Sequence, residues 1–363
     1  MVRTRLHWFV MTTPTSATPA TRRRLSISML ALGTFALAAA ACGSDSGGTG
    51  ENGTVTIYSG RAERLIQPIL DDFADTTDIA VDVKYGDSAD LALLIEEEAA
   101  AGNVQADVFL SQSPGSIGFL DDAGRLGELP AATLDLVPPT VRDAEGNWVG
   151  FSGRQRVLVY NADLVDEADL PSSVFDMTAP EWAGRVGVAP GNGSFQDFVT
   201  AMRVTEGDDV TMQWLDDLAA NDPITYSNNS AIVAAVGRGE VDTGLVNHYY
   251  NYRALDEDPG LPSRNHQFAP DDPGSLLIVT GAGILAASDD PALATQLIDF
   301  LLSPAGQEYF ADETFEYPLA IGVEPSGDVP PIEFSDVSNF DYGQLGGGLE
   351  QTRQMIADAG LQG

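Results

Sequence analysis

The sequence predicts an α/β protein of two lobes, each with a largely parallel sheet, on three observations. Between residues 54 and 110 strand-like and helix-like runs alternate in a βαβαβ rhythm. A second alternation of strands and helices follows from Val157 onward. The 363 residues suffice for two lobes with substantial cores.

Taken in order, Thr54–Tyr58 (TVTIY) reads as a strand. Leu65, Ile66, Ile69, Leu70 and Phe73 then recur at helical spacing, with Pro68 near the first turns as a tightening or kinking element. Ile79–Tyr85 alternates like a strand, Leu91, Leu94 and Ile95 mark a second helix, and Ala106–Leu110 (ADVFL) is a short buried strand. Val157–Tyr160 and Val186–Val188 are further strands. Helices follow at Phe195–Thr205, Val210–Ala219 and Ala231–Arg238, then a strand at Thr243–Val246. Leu276–Thr280 (LLIVT) is another strand, and Ala292–Leu302 an amphipathic helix. No repeat of 20–50 residues is visible. A ligand is expected between the lobes, at the C-terminal ends of the strands.

Composition narrows the function. Hydrophobic residues make up 44% and aromatics 8%, as in a globular chain. Lys+Arg number 18 against 54 Asp+Glu, a net charge of −36, and no acid precedes Cys42. Such a surface repels phosphate backbones and anionic membranes, which argues against a nucleic-acid partner. With a single cysteine there is no intrachain disulfide, Cys-based zinc site or iron–sulfur cluster.

The start of the chain reads as an address. Arg22-Arg23-Arg24 is a basic patch, and Leu25 to Ala41 is an apolar run too short for a comfortable membrane span. It ends in Ala38-Ala39-Ala40-Ala41, Cys42 and Gly43, the pattern of a secretory signal. The cysteine resembles that of a bacterial lipoprotein lipobox, with Ala39 where that family usually has Leu, so Cys42 is the expected lipidation site. Residues 1–41 are thus expected to form a signal peptide and 42–53 a Gly/Ser-rich flexible tether. Residues 1–21 read as an extension, with Met11 as an alternative start.

Enzyme signatures are missing: G-x-S-x-G, the Walker A loop and H-E-x-x-H do not occur, and only His248 and His266 follow the leader. Gly281-Ala282-Gly283-Ile284-Leu285-Ala286 matches G-x-G-x-x-A after a strand. It arrives late, however, and Ser288-Asp289-Asp290-Pro291 breaks any helix at once, so it reads as a strand crossing between lobes. The most informative stretch is Val246-Asn247-His248-Tyr249-Tyr250-Asn251-Tyr252. If a helix begins after Val246, both adjacent tyrosines lean toward one cleft. Phenolate is a hard donor suited to Fe³⁺, which polarises a phenol strongly enough to remove its proton near neutral pH. Taken alone, the tyrosines read more readily as lining an organic-ligand cleft or packing in a core than as metal ligands.

From Thr54 to its end the chain resembles the ferric-ion-binding proteins, the solute-binding components of bacterial iron ABC transporters. The resemblance rests on TVTIYSGR (54–61), ADVFLSQ (106–112), FSGRQRVLVYN (151–161), PGNGSF (190–195), NNSAIVAAV (228–236), LVNHYYNYR (245–253), DPGSL (272–276) and EYPL (316–319), in family order. It implies a two-lobed periplasmic-binding-protein type II fold, each lobe a mostly parallel sheet flanked by helices, joined by two crossover strands. The crossovers are expected near Phe151–Gly153 and Thr280–Gly283, with residues 54–150 and 281–330 in one lobe and 151–280 and 331–363 in the other.

The resemblance also implies a function. Fe³⁺ is the expected transported ligand, held by Tyr249 and Tyr250 with carbonate, phosphate or citrate as a synergistic anion, and handed to an ABC permease and its ATPase. The protein is expected to be a monomer outside the cytoplasm, lipid-anchored at the membrane's outer face or in the periplasm, with no chemistry of its own. The family's other metal ligands are replaced: Ala62 stands at a histidine position, Gln112 at a glutamate and Phe195 at a tyrosine. An anion pocket of Arg154, Gly193, Ser194, Asn229 and Asn247 is retained. It would combine exposed N–H groups at a helix N-terminus with an arginine fork. Gln112 and Arg61 are expected to face the same cleft, and His248 to point elsewhere. The alternative on the same fold is capture of an organic anion, phosphonate, thiamine or polyamine.

Overall fold

The computed structural model describes residues 52–324, 329, 345 and 348–361. The leader, Cys42 and most of the tether lie outside the described residues. The first half alternates β1 (Thr54–Ser59), α1 (Glu63–Thr77), β2 (Ala80–Tyr85), α2 (Ser88–Ala100), β3 (Val108–Ser111) and α3 (Pro114–Asp122), then β4 (Leu126–Gly127) and α4 (Ala131–Leu134). Strands β2, β1 and β3 are parallel neighbours. Helix α1 runs through Pro68 because its apolar stripe, Leu65 to Phe73, is buried against the sheet. Each such side chain contributes about 1.5–3 kcal/mol on burial, comparable to the cost of roughly 3 kcal/mol for the proline.

Strand β5 (Trp148–Asn161) is 14 residues long and serves both halves. After it come β6 (Val186–Val188), α5 (Gly193–Glu206), α6 (Asp208–Ala220), β7 (Ile224–Thr225), α7 (Asn229–Gly237), β8 (Thr243–Asn247), α8 (His248–Glu257) and β9 (Ser263–His266). The chain returns through β10 (Leu277–Leu285), α9 (Pro291–Leu301), α10 (Pro304–Asp312) and β11 (Tyr317–Pro318), and α11 (Leu349–Asp358) closes the described chain. The strand order is β2-β1-β3-β10-β5-β8-β6-β7, with β4, β9 and β11 off this path. Pairing is parallel among the outer strands, β6 with β7 and β8 included, and antiparallel where β5 and β10 join the halves.

The crossover is specific in register. Residues 148–155 of β5 pair with β10, and residues 156–160 pair with β8 in the other sheet. Strand β10 shifts register between Thr280 and Gly281, where the two strands lie side by side. The G-x-G-x-x-A match falls in this strand and opens no helix; a Cβ on Gly281 would lie 3.1 Å from Ile117 of α3, so the glycine permits close packing. One core packs around β1, β3, β5 and β10, and the other sheet carries two clusters, one of which includes Met355 and Ile356 of α11.

Candidate functional site

A cleft of 280 Å³ lies where the ends of β3 and β8 and the middle of β5 meet the start of α5. Strand β8 ends at Asn247, and Tyr249 and Tyr250 follow in the first turn of α8, so both rings reach the cleft. Their centroids are 4.2 Å apart at 28°, a stacked pair. Tyr249 is buried, and desolvation followed by its neighbour Tyr250 pushes its phenol above the ordinary value, against the pull of Arg154. Arg253, one turn on, lies 4.6 Å over the Tyr249 ring.

His248 takes another course. It stacks on Tyr317 at 4.3 Å, and its Nδ1 accepts the Gln155 N–H at 3.1 Å. Burial lowers its pKa to about 4, leaving a neutral imidazole.

The opposite wall is the N-terminus of α5. Here the structure corrects the expectation of a row of exposed N–H groups. The N-cap residue Asn192 accepts from both the Ser194 N–H (3.1 Å) and the Ser194 hydroxyl (2.7 Å). A side-chain oxygen satisfies the helix end internally, as an N-cap does. Among the described residues, only the Gly193 N–H of this turn lacks a partner. Asn229 is buried behind the wall, donating to Ser194 Oγ at 2.9 Å, so it orients that hydroxyl without lining the cleft. Asn247 lines the cleft with its Nδ2 unpartnered, its Oδ1 accepting from Arg156 Nη1 at 3.1 Å.

Arg154 and Gln112 meet across the cleft. Arg154 Nη2 donates to the Gln112 carbonyl, and with the Gln112 amide donating to Gly60 O (3.3 Å), its side-chain oxygen accepts from Arg154 Nη1 at 3.1 Å. Gln112 is therefore the partner of the arginine. The chain passes closely here because residue 60 is glycine: a Cβ would lie 1.9 Å from Ser88 Oγ.

Arg61 is a correction. Its side chain does not line the cleft; it is wholly buried in an ion pair with Glu316 at 2.9 Å, against the Phe151 and Phe310 rings. A buried carboxylate holds a guanidinium more firmly than a wet cleft does, which fixes Arg61 inside. Phe195 packs against Phe198 and Trp214 in the core and has no donor to offer. No group of three or more His, Cys, Asp or Glu that could hold a metal exists among the described residues.

Residues 103–334 match the family model for bacterial extracellular solute-binding proteins. The chain belongs to that family. This solute-binding protein is 31% identical over 311 residues to an Fe(3+)-binding periplasmic protein of Serratia marcescens, covering 85% of this chain and 90% of the relative. It is 32% identical over 286 residues to the major ferric iron-binding protein of Neisseria meningitidis, covering 77% of this chain and 84% of the relative. Among solved structures, iron-bound HitA from Pseudomonas aeruginosa matches with a TM-score of 0.77 at 35% identity, covering 85% of this chain and 99% of that one. The likeness is to a two-lobed periplasmic binding fold.

Several residues in or just behind the cleft wall of this solute-binding protein escaped the sequence reading. Arg156 is buried against Ser194 and Asn247, and burial brings its pKa down to about 9. A signal existed, because Arg154 and Arg156 are two apart in a strand and so share a face. Asp197, partly buried, accepts from Ser113 Oγ at 3.3 Å, joining α5 to the start of α3. Desolvation raises its carboxyl pKa to about 6, against the pull of Arg154 and that hydrogen bond. Arg353 reaches the cleft from α11, and no local motif marks it.

Proposed function

We propose that this protein captures ferric ion in the cleft beside Tyr249 and Tyr250 and delivers it to the permease of an ABC transporter. The observation that carries this reading is the stacked pair of tyrosines sharing a cleft with an arginine that has no carboxylate partner among the described residues. The names of the Serratia and Neisseria relatives, and iron-bound HitA, support the same cargo.

The chemistry follows from charge. Two phenolates offset two of the three ferric charges, and neither Ala62, Gln112 nor Phe195 supplies an anionic donor. Leaving the remainder unpaired in a cleft is costly. An exogenous anion, carbonate, phosphate or citrate, completes the coordination from the side of Arg154, Gly193 and Ser194. Burial holds the Tyr249 proton more firmly, so that side chain becomes a phenolate only for a cation that polarises it strongly, which disfavours weaker ions such as Mg²⁺. Residues 54–150 with 281–330 and residues 151–280 with 331–363 are the two bodies that close on the cargo. Cys42 tethers the protein to the membrane through lipid, and among the described residues no helix is long and apolar enough to cross one.

Equilibrium dialysis of the purified protein against ferric ion, with and without each anion, tests the proposal. Retention of one ferric ion per chain when an anion is supplied supports it. No retention with any of the three anions refutes it.

A further inference from the structure

The chain holds 54 acids against 18 Lys+Arg, yet Arg154, Arg156 and Arg353 have no carboxylate at ion-pair distance among the described residues. Arg154 and Arg156 are buried, and Arg154 Nε and Arg156 Nη2 lack any partner. Arg353 differs, because it is exposed and lines the same cleft from its rim.

Its placement is built. Arg353 Nε donates to Gln196 Oε1 at 2.9 Å, and Gln196 Nε2 in turn donates to Pro190 O at 3.3 Å. The guanidinium is therefore held at the first turn of α5, two residues on from Ser194, with its two terminal nitrogens unengaged among the described residues. Helix α11 is itself pinned: Thr352 and Thr200 hydroxyls meet at 2.8 Å, and Arg203 Nη1 donates to Gly348 O at 2.8 Å. The acids of the cleft are occupied elsewhere, Asp87 capping Ala89 N (2.9 Å) and Asp197 bonded to Ser113.

A small oxyanion at Gly193 and Ser194 engages the Arg154 side of the cleft and leaves the outer guanidinium idle. An anion with a second carboxylate engages both. Guanidinium forks bind carboxylates through two parallel hydrogen bonds, which gives geometric selectivity as well as attraction. We propose that Arg353 is a specificity-determining residue that selects a di- or tricarboxylate as the co-ligand, one carboxylate on the Ser194 side and another on the Arg353 fork. This rests on the ferric reading only in taking the anion as a companion of the cargo.

Calorimetric titration of iron-free protein with citrate, and separately with inorganic phosphate, reads the effect without iron. Arg353→Gln is expected to weaken citrate binding about tenfold and to leave phosphate within about twofold, with Arg353→Lys intermediate for citrate. Equal losses for both anions, an unchanged citrate affinity, or no citrate binding by the unaltered protein would each overturn the assignment. Ferric loading is followed in parallel. Failure to load with either anion counts against the ferric reading, while the citrate titrations still decide the role of Arg353.

Discussion

Arg61 and Glu316 form a two-pronged ion pair with both side chains fully buried, Nη1 to Oε2 at 2.9 Å and Nη2 to Oε1 at 3.2 Å. Arg61 Nη1 also donates to Ser152 Oγ on β5 and Thr280 Oγ1 on β10, each at 3.2 Å. Ser152 and Thr280 are paired in register at the shift between the crossover strands. The ion pair thus fastens the point where the two halves of the molecule join.

Removing one partner leaves a buried charge alone. Glu316→Ala is expected to lower unfolding free energy by about 3–5 kcal/mol, and Arg61→Met with Glu316→Leu to recover most of it. Urea denaturation measures both; a single variant within about 1 kcal/mol of the parent would contradict the placement. A pH dependence follows. Burial alone would raise the Glu316 pKa, but Arg61 and Arg154 outweigh it and hold it below the usual 4.5. A carboxyl depressed in the folded state stabilises above its unfolded pKa, and that contribution is lost as pH falls through the lower folded value. The Glu316 variant should therefore lose less stability on acidification below about pH 4.5 than the parent.

Arg154 lines the cleft and is the proposed anion partner, with Nε unpartnered among the described residues and its other nitrogens on Gln112. Arg154→Ala is expected to weaken ferric retention by about tenfold or more and to change which anion supports it best, with both tyrosines intact. Competition against a graded chelator series measures this. Retention unchanged with every anion would remove Arg154 from the site, and tight binding with no anion added would replace the anion by a protein acid such as Asp87.

Much of this was legible in the sequence, and the failures have physical causes. The helices at Gly193–Glu206 and Asp208–Ala220 match their apolar periodicity to within two residues, because each has one buried face. Strand β5 outran its predicted segment, Val157–Tyr160, because both its faces are covered while Gly150, Ser152, Gly153 and the Arg154-Gln155-Arg156 run break up the apolar signal of Trp148, Val149 and Phe151. The placement of Tyr249 and Tyr250 was legible because a helix that begins just after a strand ending near Val246 turns both adjacent rings toward one cleft. Arg61 misled because a sequence does not reveal that Glu316, 255 positions away, waits for it inside the protein. Arg353 was illegible for the same reason, its place being set by the docking of α11 on α5.

Ferric affinity should fall on acidification. Under the proposed ligation each ferric ion displaces two phenol protons, and burial, by raising the Tyr249 pKa, makes that proton harder to displace. Affinity at constant anion is expected to drop by up to about a hundredfold per pH unit lowered, the slope of two released protons. Proton release measured by pH-stat during loading checks the stoichiometry. Release of no protons at neutral pH would exclude phenolate ligation.

The proposed lipid anchor gives a prediction for the start of the chain. Cys42 follows a signal-like run and precedes a flexible stretch, and lasting attachment takes more than one acyl chain. Cys42→Ser is expected to move the protein from membrane to soluble fractions on ultracentrifugation. A variant that sediments with membranes as the parent does places the anchor elsewhere.

The most direct test of the central claim is visible absorption. Phenolate bound to Fe³⁺ gives a ligand-to-metal charge-transfer band that neither free tyrosine nor free ferric ion shows. Adding ferric ion with citrate to the unaltered protein should produce that band and saturate at one metal per chain. Tyr249→Phe and Tyr250→Phe, which keep the stacked ring and delete the oxygen, should each lose most of it while remaining folded. A band of full intensity in both variants, or a colourless parent that nevertheless retains iron, would contradict ligation by this pair.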